Sequence, residues 1–67
     1  MVLFTIGQAY FFMRRFDEAI FWILLELQEE PEFPPAHRFL IASYAHMGRL
    51  DEARAALARL RQINPRA

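Results

Sequence analysis

Apolar residues at the start of the chain fall at Leu3, Ile6, Tyr10 and Met13, the three- and four-residue spacings of one helix face. A second apolar stretch follows Arg14-Arg15. It opens with the acidic pair Asp17-Glu18, which favours a helix N-terminus, and stops before Pro31. The same signals then return in the same order. Pro34-Pro35 opens a helix where a missing N–H costs little, Gly48 marks a turn, Asp51-Glu52 begins another helix and Pro65 ends it. The pattern predicts an all-α fold with helices near 2–13, 17–29, 35–47 and 51–63.

Sliding the chain against itself by 34 positions shows why the signals recur. Tyr10 aligns with Tyr44, Met13 with Met47, Arg15 with Arg49, and Asp17-Glu18-Ala19 with Asp51-Glu52-Ala53. Gln28 then meets Gln62 and Pro31 meets Pro65, with Ile6/Leu40, Phe16/Leu50 and Ile23/Leu57 as conservative pairs. One ungapped offset explains all of them, so the chain reads as two tandem helix-turn-helix units, 1–33 and 34–67.

That period, with these residues, resembles a tetratricopeptide repeat pair. Gly7 and Ala9-Tyr10 match the small-then-aromatic close of the first helix, Ala19 the small residue at the helix crossing and Pro31 the terminating proline. Leu40, Tyr44, Gly48, Ala53 and Pro65 match in unit two. The resemblance implies four antiparallel helices in a right-handed solenoid fragment, working as a non-catalytic protein–protein interaction or oligomerisation module. The stretch from Pro34 to Leu57 also resembles C-terminal repeat tails of bacterial class III adenylate cyclase-like regulatory proteins, which implies a larger bacterial parent. Three positions depart from the family pattern. Ile41 stands where unit one has Gly7, which predicts wider helix spacing in unit two. Arg14 replaces the turn glycine found at Gly48, which stores about 1 kcal/mol if the turn needs positive φ. Glu26 occupies a position that is usually small and buried.

Composition sharpens the picture. The chain has 67 residues, 55% of them hydrophobic, and no cysteine, which excludes disorder and a disulfide scaffold. A core of this size supplies only about 3–5 kcal/mol without staples or a partner. Formal net charge is zero, arguing against a nucleic acid or an anionic membrane as partner, but neutrality is a cancellation. Residues 1–33 carry two arginines against six acids, and residues 34–67 carry six arginines against two acids. Eight of the ten aromatics lie in the acidic half. The longest apolar run, Ala19 to Leu25, falls far short of the roughly 20 residues a spanning helix needs, and the expectation is a cytoplasmic protein.

Catalytic chemistry finds little to use. Thr5 and Ser43 are the only aliphatic hydroxyls, and the carboxylate pairs sit at helix starts, where capping and dipole roles prevail. His37 and His46 are nine residues apart, not the spacing of a zinc pair, so no metal, cofactor or enzyme activity is expected.

Binding is better supported. The resemblance turns the first helix of each unit toward a groove, giving Phe4, Gln8, Phe12, Arg38, Phe39, Ala42 and His46 as lining candidates, with Arg38 set to pair with a carboxylate. A second candidate surface is the helix with Phe21, Trp22, Leu24 and Leu25, where unit two has Ala55, Ala56, Ala58 and Arg59. Being apolar nearly all round, this helix calls for burial on both faces, although Trp22 and Leu24 serve equally well as ordinary core. Leu57 and Leu60 join this surface, because no later helix covers them. The expected partner is a protein or peptide: a second copy, flanking parts of a parent chain, or an acidic or apolar segment seated in the groove.

Overall fold

Each helix of the computed structural model, which describes residues 2–65, is closed by backbone signals that repeat between units. The four helices are α1 (Val2–Phe12), α2 (Phe16–Glu29), α3 (Pro34–His46) and α4 (Leu50–Ile63). Relative to the sequence pattern, α1 and α3 end one residue early and α2, α3 and α4 start one residue early. The cause is the turn chemistry. Arg15 N–H donates to the Tyr10 carbonyl at 2.9 Å and Arg14 N–H to Phe11 at 3.0 Å; Arg49 to Tyr44 and Gly48 to Ala45 repeat these distances. This six-to-one, five-to-two pattern satisfies the last carbonyls of α1 and α3 and leaves Met13 and Met47 just outside the helices. It also demands a left-handed residue at its fifth position. Gly48 takes φ 73° there and Arg14 takes φ 62°, so the strain expected of the arginine is present.

α1 packs on α2, α2 on α3 and α3 on α4, with a lesser seam between α1 and α3. Short turns make sequential helices antiparallel, the arrangement of tandem helical hairpins. The core runs along this stack through Phe4, Ala19, Ile20, Ile23, Ala36, Leu40, Tyr44, Ala53 and Ala56. Gly7 permits a close approach of α1 to α2: a Cβ there would sit 2.9 Å from Ile23 Cγ1 and 3.3 Å from the Ala19 carbonyl. Its counterpart Ile41 is half-buried against the core, and Leu57, the counterpart of fully buried Ile23, is only half-buried.

Among the described residues, three polar side chains lie inside. Ser43 donates back to the Phe39 carbonyl at 2.8 Å, so its hydroxyl is satisfied within α3. His37, 2% exposed, donates from Nε2 to the Pro31 carbonyl at 2.8 Å and ties the α2–α3 connection to α3. Glu26 is 1% exposed, so the carboxylate that replaces a small residue is housed in the interior.

On the surface a three-residue device repeats. Arg15 lies 5.5 Å from the Tyr10 ring centroid and pairs with Glu18 at 2.7 Å; Arg49 lies 5.0 Å from the Tyr44 centroid and grips Glu52 with both its Nε and an Nη. Both ion pairs are solvent-exposed and contribute modestly. Burial, with the Glu52 carboxylate adding to it and Arg49 opposing it, raises the Tyr44 phenol above its ordinary pKa.

Candidate functional site

Two surfaces stand out. The first is built on α2, whose inner face is Ala19, Ile20, Ile23 and Glu26. One stripe away on the same helix, Phe21 is 57% and Leu24 42% exposed, three residues apart and so one above the other. Phe21 meets Trp22 edge to face at 5.3 Å, and Trp22 and Leu25 are half-buried. Leu24 also borders a cleft of about 360 Å³ whose walls include Leu27 of α2, Leu40 of α3, and Ala56 and Arg59 of α4. The cleft opens where α2 and α4 both pack on α3 with their backbones held apart, and α4 offers alanine where α2 offers large side chains.

This corrects part of the expected association surface. Leu60 is 3% exposed and belongs to the interior, because α4 turns Ala53, Ala56 and Leu60 inward at three- and four-residue spacings. Leu57 is half-buried. The α4 residues that share a cleft with Leu24 are Ala56 and Arg59 instead.

The second surface follows the α1–α3 seam. Phe4, expected to line a groove, is 9% exposed and sits in the core, closed over by Phe33 and Phe39 at centroid distances of 5.2 and 5.4 Å. Phe39 continues edge to face to Phe11 at 5.0 Å and to Phe12 at 6.0 Å. Gln8 and Ala42 are half-buried, and Arg38 is exposed. Phe12 is 72% exposed, and His46 stacks flat on Phe16 at 4.8 Å. Phe12 and His46 come together in a cleft of about 140 Å³ that is also lined by Phe11, Arg14 and Phe16. Arg38 lines neither cleft; the cation in this one is Arg14. Arg14 stands out in the sequence for its strained turn, but chain positions alone do not connect it with Phe12 and His46.

Among the described residues no three His, Asp or Glu side chains gather as a metal-binding group, and no helix is long and apolar enough to cross a membrane.

The tetratricopeptide repeat family matches residues 26–67, more than half of the chain. The chain belongs to the tetratricopeptide repeat family. The match spans the end of α2 and all of unit two; the 34-residue register and the repeated turn bonds extend the same architecture through unit one of this repeat protein. Neither the curated proteins nor the solved structures compared with the chain contain a match. Tetratricopeptide repeats generally mediate protein–protein interaction and are typically non-catalytic.

Proposed function

We propose that the chain is a non-catalytic oligomerisation module that associates through the outer face of α2, as part of a larger cytoplasmic bacterial regulatory protein, with residues 1–33 and 34–67 as its two repeats. The observation that carries this reading is the exposure of Phe21 and, one turn on, of Leu24, which borders the 360 Å³ cleft. Their counterparts one repeat later are Ala55 and Ala58, so the repeat architecture does not itself require large apolar side chains at these positions. Apolar side chains grouped beside a cleft mark an interaction site on a small protein. A second copy fits, because α2 carries only acidic charged residues while α4 brings Arg54, Arg59 and Arg61, and opposed charge sets register. The resemblance of residues 34–57 to adenylate cyclase-like repeat tails supports a regulatory parent.

The test is light scattering over a concentration series on the wild type and on the Phe21→Ala/Leu24→Ala variant, which copies unit two. The wild type is expected to self-associate at high micromolar concentration and the variant to remain a folded monomer. A wild type that stays monomeric throughout refutes the self-association.

A second reading is favoured by Phe12, 72% exposed next to Arg14 and His46: a groove that takes a partner's peptide segment.

A further inference from the structure

The two intra-repeat turns are the same piece of backbone with one exchange. Unit two fills the left-handed position with Gly48 at φ 73°, and unit one fills it with Arg14 at φ 62°. A side chain held in that region is strained, and such positions gather at sites where the strained residue is put to use. Structural roles do not account for an arginine here. Its side chain is exposed and makes no ion pair or hydrogen bond among the described residues. A cation near the C-terminus of α1 does not need this position, because Arg15 follows at once with a negative φ of −99°.

What Arg14 does line is the smaller cleft, with Phe11, Phe12, Phe16 and His46. None of these residues is a carboxylate, so Arg14 shares the cleft with aromatic side chains and no counter-charge. Phe12 leaves a large apolar face open to solvent, and the Phe16–His46 stack forms a flat wall. We propose that this cleft recognises an acidic segment of a partner protein: an Asp or Glu carboxylate pairs with Arg14 while an adjacent aromatic or aliphatic side chain lies against Phe12 and Phe16. A guanidinium matches a carboxylate with two parallel hydrogen bonds, and an aromatic side chain finds edge-to-face partners on these walls. The proposal deepens the groove reading above and rests on it, with Arg14 in place of Arg38 as the cation that selects acidic ligands.

The repeat supplies its own control, because Arg14→Gly installs the residue that unit two already uses. That variant keeps the turn and relieves its strain, so lost binding cannot be blamed on lost folding. The measurement is fluorescence anisotropy with a labelled synthetic peptide carrying one phenylalanine between two glutamates, alongside its glutamine-for-glutamate counterpart. The wild type is expected to bind the acidic peptide, more weakly as ionic strength rises, and to bind the glutamine peptide about tenfold less tightly or worse. Arg14→Gly is expected to melt at a higher temperature and lose about tenfold or more in affinity, while Arg38→Ala stays within about twofold of wild type. Binding that survives Arg14→Gly but is lost in Phe12→Ala overturns the inference and leaves the groove reading standing; no binding by the wild type overturns both. Self-association of the unliganded protein that Arg14→Gly abolishes assigns the cleft to Glu29, Glu30 and Glu32 of a second copy, and overturns a separate partner.

Discussion

Exchanging the residues of the two turns tests how this repeat is closed. Arg14 and Gly48 occupy the same left-handed position in the same hydrogen-bond pattern, at φ 62° and 73°. A non-glycine residue there costs about 1–2 kcal/mol, and replacing it by glycine returns about 0.5–1 kcal/mol of that as added entropy of the unfolded chain. Arg14 is exposed and has no ion-pair partner among the described residues, so its removal forfeits only a weak attraction to the α1 C-terminus, about 0.3 kcal/mol. Arg14→Gly is therefore expected to stabilise the fold by about 0.2–0.7 kcal/mol. The reciprocal Gly48→Ala is expected to cost about 1 kcal/mol, and from backbone alone, because no atom lies within 4 Å of the added Cβ. For a chain of this size 1 kcal/mol corresponds to roughly 4–8 °C in melting temperature. Thermal unfolding followed by far-ultraviolet circular dichroism, at low concentration so that association does not add to the apparent stability, reads both changes. An Arg14→Gly variant that melts at or below the wild type, together with a neutral Gly48→Ala, refutes the claim that these turns hold strain.

Three further outcomes follow from the interior. Gly7→Val is expected to cost about 2 kcal/mol in urea unfolding, because its Cβ alone approaches Ile23 Cγ1 to 2.9 Å and overpacking drives α1 off α2; an unchanged urea midpoint contradicts the close crossing. His37→Ala removes a buried ring and its bond to the Pro31 carbonyl, and is expected to cost about 2–3 kcal/mol and to speed amide exchange in the α2–α3 connection, read by hydrogen-exchange mass spectrometry. The Tyr44 phenol is raised in the folded chain, chiefly by burial, so the unfolded chain loses this proton first and stability declines as pH rises past the ordinary phenol value of about 10; Tyr44→Phe is expected to flatten that alkaline decline, measured as the urea midpoint against pH.

The helical hairpins were legible because their punctuation is local and doubled: acidic pairs, Gly48 and the two prolines speak for their own neighbourhoods, and the offset of 34 let each unit vouch for the other. The strain at Arg14 was legible for the same reason. What sequence spacing could not supply was closure between elements. Phe4 lies on the α1 face, but only the path of α3 brings Phe33 and Phe39 over it. Leu60 was expected at the surface for want of a later helix, although its repeat counterpart is Glu26 and both are buried. The cleft between α2 and α4 and the meeting of Arg14 with Phe12 and His46 depend on non-sequential neighbours, which helix periodicity does not encode.

The most direct test of the outer face of α2 as the association surface is a concentration series of backbone amide spectra by nuclear magnetic resonance. Shifts and line broadening are expected to grow with concentration around Phe21, Leu24 and Gln28 and across the cleft at Ala56 and Arg59, and to vanish in the Phe21→Ala/Leu24→Ala variant. Spectra that do not change with concentration, or changes confined to the α1–α3 seam, contradict this assignment.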